Sequence, residues 1–288
     1  MKKSFIVMSL TVILAMLASV TVFAADFDPS KDISVISREE GSGTRGAFIE
    51  LFGIEQKNDK GEKIDMTTEE AIISNSTNVV MTSVASDPYA IGYISLGSLN
   101  DTVKALKIDD AEATVKNIRD GSYKIFRPFN VAYKGQLSAV TQDFVNFIMS
   151  ADGQAVVEAA GYIKVDENAA AFSSTNPSGK IVVAGSSSVT PVMEKLKEAY
   201  LKINTAAEIE IQMSDSTTGM TSAMDGICNL GMASRELKES ELAVLTPLVI
   251  ANDGIAVIVN NNNPIEGLTS EQVKGIFTGE ITSWSELQ

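Results

Sequence analysis

The sequence predicts an α/β protein whose strands run parallel and bring several loops to one edge, with an anion site there. Three observations carry this. A strand, a Ser/Thr/Gly loop and a helix follow one another three times along the chain. Crossovers of this length between strands require sheets covered by helices, with the loops at the carboxyl edge of the strands. The 288 residues are 44% hydrophobic, enough for one large or two small domains with real cores.

The first unit sets the pattern. Ile33–Ser37 alternates apolar and polar residues and reads as a strand; Gly46–Phe52 reads as a short helix stopped by Gly53. Between them lies Arg38-Glu-Glu-Gly-Ser-Gly-Thr-Arg45. The first N–H groups of a helix have no partner within it and carry partial positive charge, so such a loop suits an anion. Glycines let the backbone approach, Ser42 and Thr44 add hydroxyls, and Arg38 is the one cation the motif sets beside them. Gly41-Ser-Gly-Thr-Arg-Gly46 also fits the dinucleotide fingerprint. That fingerprint needs a second strand ending in an acid about 20 residues on, and the chain offers the polar turn Gln56–Lys63 instead.

At the N-terminus, Lys2-Lys3, the apolar run Phe5–Ala18 and Val22-Phe-Ala24 have the form of a cleaved export signal, with removal expected after about Ala24. The run is too short for a membrane span. The protein is therefore expected outside the cytoplasm, periplasmic or extracellular. With no histidine, His-based triads and His metal sites are excluded; with Cys228 alone, so are an intrachain disulfide and a Cys-cluster metal site. No cofactor, metal or catalytic residue is expected. A formal net charge of −14 argues against nucleic acid or an anionic membrane as partner.

The remaining elements follow in order. Thr67–Ile73 reads as a capped short helix, Asn78–Ser86 as a helix ended by Pro88, Ala90–Leu96 as a strand and Val103–Ile108 as an edge strand. A strand begins at Pro128. Thr141–Met149 and Gln154–Ala160 read as helices broken at Ser150–Gly153. Asp166–Lys180 has linker composition. The pattern then returns twice. Ile181–Ala184, the loop Gly185–Thr190 and a helix from Pro191 to about Lys202 form one unit. Glu208–Met213, the loop Ser214–Gly219 and a helix Met220–Gly226 form the other. Leu245–Ala251 and Gly254–Val259 close the set as two further apolar stretches.

Five motifs together resemble the phosphate-binding protein of bacterial phosphate ABC transporters. They are Ser37–Arg45, Gly185-Ser-Ser-Ser-Val-Thr-Pro191, Leu230-Gly-Met-Ala-Ser-Arg-Glu-Leu237, Asp253–Val259 and Ile276–Trp284. The resemblance implies a two-lobed periplasmic-binding-protein-like fold of type II, with inorganic phosphate held between lobes joined by a strand hinge. It implies ligand contacts from Arg38, Ser42, Gly43 and Thr44 in one lobe, and from Ser188, Val189 (backbone), Thr190, Ser216 and Ser234 in the other. It also implies a membrane permease as partner and a monomeric protein that is not an enzyme. Where the family has aspartate at the Ser234 position, that residue accepts the proton which phosphate has and sulfate lacks; Asp215 and Asp253 are alternative acceptors here. For Arg45 and Arg235 a structural ion pair weighs at least as much as ligand contact.

The motif order departs from the family. The Gly185 motif, usually near the N-terminus, here follows the Gly-Ser-Gly-Thr motif, as in a circular permutation or a piece of a longer tandem product. The expected organisation is 1–24 as signal, 26–122 plus 260–288 as one discontinuous lobe, 123–259 as the other, and 166–180 joining the family's usual termini. Competing readings are a binding protein for another oxyanion, sulfate or molybdate, and an exported phosphoester-processing enzyme, for which no nucleophile–base pair can be named.

Overall fold

The computed structural model describes residues 27–287; the expected export signal lies outside them. The principal strands are β1 (Ser34–Arg38), β2 (Ile72–Ser74), β3 (Ala90–Ser95), β4 (Phe126–Tyr133), β5 (Gly179–Ser186), β6 (Ala207–Ser214), β7 (Leu230–Ala233) and β8 (Thr246–Asn260). The helices that matter below are α1 (Gly43–Leu51), α2 (Thr77–Ser86), α3 (Ala139–Met149), α4 (Ala151–Ala159), α5 (Thr190–Ile203), α6 (Ser216–Met224) and α7 (Ser270–Thr278).

The eight strands form one mixed sheet in the order β6-β5-β7-β4-β8-β3-β1-β2, with Val103–Ala105 paired on β8. At one end β5 lies parallel to β6 and β7; at the other, β1 lies parallel to β2 and β3. Between these parallel groups run β4 and β8, antiparallel to each other and to their neighbours. β8 pairs with β4 from Thr246 to Gly254, with an irregularity between Val249 and Ala251, and with β3 from Ile255 to Val259. It is one strand serving two lobes, where the sequence suggests two separate stretches.

Side-chain alternation gives each lobe two apolar layers. Val35, Ile91, Tyr93, Val257 and Val259 face a core with Phe48, Ile54, Phe277 and Trp284. Their strand neighbours Ile36, Ala90, Ile94, Ala256 and Ile258 face Val80 and Val84 of α2. In the other lobe Val131, Ile181, Val183, Leu230 and Met232 meet Phe144, Phe147, Leu196 and Tyr200, while Ala132, Ala184 and Ala233 face Met220 and Ala223 of α6. α6 comes close because Gly185 and Gly219 leave room: a Cβ on Gly185 would lie 2.4 Å from the Met232 carbonyl oxygen, and its φ of +131° suits only glycine.

Several local expectations are corrected. Thr67–Ile73 is not a helix: a turn closed by Ala71 N–H to the Thr68 carbonyl leads into β2, whose β-branched Ile72 and Ile73 give β1 its outer partner in the register Ile36↔Ile72. The loop read at Ser214–Gly219 is largely the first turn of α6, because the Asp215 side chain caps it by accepting from Thr218 N–H at 2.8 Å. The break between α3 and α4 is the single residue Ser150, which caps both. Cys228 is buried just after α6, and burial pushes its thiol up to about 11. The stretch 166–178 lacks regular structure but is fastened down. Ser174 Oγ donates to Asp143 at 2.6 Å, Asn204 donates to the Pro177 carbonyl at 2.9 Å, and the Phe172 ring sits edge-on to Phe147 at 5.2 Å.

Candidate anion site between the lobes

Four helix N-termini converge where the lobes meet. α1 is capped by Ser42, which accepts from Arg45 N–H, and α2 by Ser76, which accepts from Val79 N–H. From the opposite lobe come α5, begun by Thr190 and Pro191, and α6, capped by Asp215. Each lies at the carboxyl end of its strand, and the β1/β2 and β5/β6 groups run in opposite senses across the sheet, so their Ser/Thr loops face each other across the cleft.

Their hydroxyls form a buried network across the cleft. Thr44 Oγ1 lies 2.8 Å from Ser188 Oγ and 3.3 Å from Ser234 Oγ. Ser186 Oγ donates to Ser234 Oγ at 3.0 Å, and Thr77 Oγ1 lies 3.1 Å from Ser188 Oγ. Ser216 Oγ accepts from Ser234 N–H at 3.1 Å. The walls touch directly: Thr217 N–H donates to the Gly41 carbonyl at 3.1 Å, and a Cβ on Gly43 would lie 2.4 Å from Ser216 Oγ. Glycine at 43 is what lets the two lobes approach.

Arg38 is 2% exposed and spans the cleft, donating from Nη2 to Ser187 Oγ at 3.1 Å. Glu39 grips the same guanidinium with both carboxylate oxygens, at 2.6 and 2.7 Å. Tyr93 OH fixes the backbone beneath, accepting from Arg38 N–H at 3.2 Å and lying 2.9 Å from Ser37 Oγ. Burial holds the Tyr93 phenol above its ordinary range, so it stays neutral.

The other residues singled out in the sequence divide clearly. Arg45 pairs with Asp65 at 2.7 Å and donates to the Arg38 carbonyl, so it supports the loop from behind. Arg235 pairs with Glu241 at 2.8 Å. Ser42 is occupied as a cap. Val189 N–H donates to the Ser186 carbonyl at 3.1 Å, and the Thr190 hydroxyl donates to the same oxygen at 3.0 Å. Thr190 and Ser187 line a side cavity of about 90 Å³ with Ser76, Thr77, Pro191 and Met213. Asp215 is committed to capping, and Asp253 faces a cation that the sequence reading misses.

That cation is Arg127, on β4. Its Nη1 lies 2.8 Å from Asp253 Oδ2, both side chains being 2% exposed or less, and its Nη2 donates to Thr44 Oγ1 at 3.0 Å. Arg38 is therefore not the sole cation at the loop. Burial pushes Asp253 up to about 6, opposed by the Arg127 charge and by Gly97 N–H at 3.1 Å. Burial also lowers Arg127, opposed by Asp253. A charged residue just before the apolar run Phe129–Tyr133 is the signal that could have found Arg127. Thr77 and Ser187 are missed too; Ile72-Ile-Ser-Asn-Ser-Thr77 repeats the strand–hydroxyl–helix pattern a fourth time. Among the described residues, no cluster of three or more His, Cys, Asp or Glu could hold a metal ion.

A family model described as "PBP superfamily domain" matches residues 14–152 and 170–288. This chain belongs to the PBP superfamily. The "Phosphate-binding protein PstS 2" of Streptococcus agalactiae is 60% identical over 257 residues, 88% of this chain and 87% of that one. The crystal structure of "a phosphate ABC transporter, phosphate-binding protein" from Streptococcus pneumoniae is 44% identical. It covers 89% of this chain and all of its own, with a TM-score of 0.71. The "Phosphate-binding protein PstS" of Bacillus subtilis matches over 131 residues, 44% of each chain, at 29% identity. With relatives matched over nearly their whole length, the chain is a member of the PstS family.

Proposed function

We propose that this protein captures inorganic phosphate between its two lobes, outside the cytoplasm, and delivers it to the membrane permease of an ABC transporter. The carrying observation is the donor network across the cleft: Arg38, Thr44 and Thr77 on one side meet Ser187, Ser188 and Ser234 on the other. Hydroxyls, a guanidinium and helix N-termini can replace the water of a dehydrated oxyanion, and closure of the lobes over the ligand buries it. The proposed ligand set keeps Arg38, Gly43, Thr44, Ser188, Ser216 and Ser234 from the sequence reading and adds Thr77 and Ser187, while Ser42, Val189 N–H and the Thr190 hydroxyl are engaged within their own loops. The phosphate-binding role named for the relatives supports it. Among the described residues no helix is long and apolar enough to cross a membrane. We read the protein as a carrier rather than an enzyme.

The lobes are taken as 26–122 plus 260–288 and 123–259, in permuted order. The half-length match to the Bacillus subtilis relative supports the permutation, since only one side of the join stays collinear in such a pair.

Ser234 keeps a second reading open, a site for another oxyanion. Titration calorimetry of protein stripped of ligand by unfolding and refolding decides between them. Saturable phosphate binding with weaker sulfate and molybdate is the expected result. Absence of phosphate binding overturns the proposal, and equal affinities overturn its specificity.

A further inference from the structure

Arg127 stands on β4 directly opposite Asp253 on β8, in the antiparallel pair that joins the lobes. All three guanidinium nitrogens are used. Nε donates to the Ser234 carbonyl at 3.1 Å in one lobe, Nη2 donates to Thr44 Oγ1 at 3.0 Å in the other, and Nη1 donates to the Gly254 carbonyl at 3.0 Å within the hinge. The guanidinium also lies 5.1 Å from the centre of the Phe129 ring. One buried side chain thus touches both walls of the cleft and the strand on which they turn.

The contact to Thr44 has a direction. A guanidinium only donates, so Thr44 Oγ1 must accept from Arg127 and its own proton must point elsewhere. Its other neighbours are Ser188 Oγ at 2.8 Å, Ser234 Oγ at 3.3 Å and any anion oxygen held in the cleft. A hydroxyl alone could donate or accept; beside Arg127 it is set as a donor before the ligand arrives. Asp253 offsets the charge of Arg127, which leaves the orientation of Thr44 as its main effect.

We propose that Arg127 is a positioning residue of the anion site: it orients the Thr44 hydroxyl as a donor and ties that donor to the hinge. This rests on the phosphate reading above. Removing Arg127 alone would leave Asp253 buried without its partner and endanger folding, so the neutral pair Arg127→Met with Asp253→Asn is the primary variant.

Phosphate affinity is measured by calorimetry for four proteins: the unaltered chain, Thr44→Val, the neutral pair, and the neutral pair with Thr44→Val. The neutral pair is expected to bind about 10- to 100-fold more weakly while keeping a cooperative thermal transition. Thr44→Val is expected to cost at least about tenfold in the unaltered chain and under about threefold beside the neutral pair, because the oriented hydroxyl is already lost there. Arg127→Lys, which keeps a donor and the pair with Asp253, is expected to recover part of the affinity. Equal losses from Thr44→Val in both backgrounds, or a neutral pair that binds within threefold of the unaltered chain, overturn the inference and leave the phosphate reading standing. An unaltered chain that does not bind phosphate overturns both.

Discussion

The two lobes build their walls of the cleft from different chemistry. The lobe of α1 and α2 contributes a cation: Arg38 lies at the carboxyl end of β1, buried and bridged by Glu39. The lobe of α5 and α6 contributes hydroxyls, Ser186, Ser187, Ser188, Ser216 and Ser234, on two helix N-termini and the end of β7. The second cation, Arg127, belongs to the hinge and is offset by Asp253. Both cations are paired with a carboxylate, so the first lobe offers a charge-assisted donor in Arg38 and the second lobe adds neutral, directional contacts once it has closed. Charge acts over several ångströms, whereas a hydroxyl acts only at contact.

This division breaks first at Arg38. Arg38→Ala is expected to weaken phosphate binding by roughly 30- to 3,000-fold, since removing one partner of a buried charge pair costs about 2–5 kcal/mol. Arg38→Lys should recover only part, because an ammonium cannot make the planar two-point contact. Arg45→Ala is the control. It loses the ion pair to Asp65 behind the loop, and calorimetry should find a smaller effect. A large loss from Arg45→Ala with none from Arg38→Ala would assign the charge to the wrong arginine.

Closure is tested at Gly43. A Cβ there would lie 2.4 Å from Ser216 Oγ and 2.9 Å from Ser234 Oγ in the facing lobe. Gly43→Ala should hold the lobes apart and weaken binding by about 5- to 150-fold, as overpacking costs of about 1–3 kcal/mol imply. The lobe that carries it should keep its stability in denaturant. If binding is unchanged, closure does not require the contact between these walls.

The hinge is tested by pH. Burial raises Asp253 from an ordinary 3.8 to about 6, so the folded state holds that proton more tightly than the unfolded chain. Stability attributable to this group is therefore greatest below about pH 4, falls as pH rises through 4 to 6, and is flat above. Asp253→Asn should remove this dependence, so the stability difference between the variant and the unaltered protein in denaturant melts should change between pH 4 and pH 7. A difference that stays constant across this range would mean that Asp253 is an ordinary ionised carboxylate. At the small end, Ser188→Ala removes one neutral contact and should weaken binding by about fivefold, near 1 kcal/mol.

The features legible in the sequence are those set by local chemistry. Two strand–loop–helix units, Pro191 at the first turn of α5 and the Gly-Ser-Gly-Thr loop lie where their residues suggest, and the third unit differs only in that its loop is mostly the first turn of α6. What escaped was decided by partners distant in sequence. Thr67–Glu70 has the composition of a helix start, yet β1 needs an outer strand, and Ile72 and Ile73 supply it. Arg127 looks like an isolated charge until Asp253, 126 positions later, pairs with it across β4 and β8. The stretch 166–180 has linker composition, from which little effect of shortening would follow. The contacts of Ser174 to Asp143 and of Phe172 to Phe147 reverse that expectation. Deleting 173–176 should lower stability by about 1–3 kcal/mol, and an unchanged melting temperature would restore the passive reading.

β8 has a consequence for how the molecule comes into being. The sheet of the first lobe is incomplete until residues 255–259 lie beside β3, and its core is incomplete until Phe277 and Trp284 arrive. A ribosome makes those residues after the strands and helices they complete. The strands β1 to β3 must therefore wait, with their apolar layers incomplete, until residues 255–284 have been made.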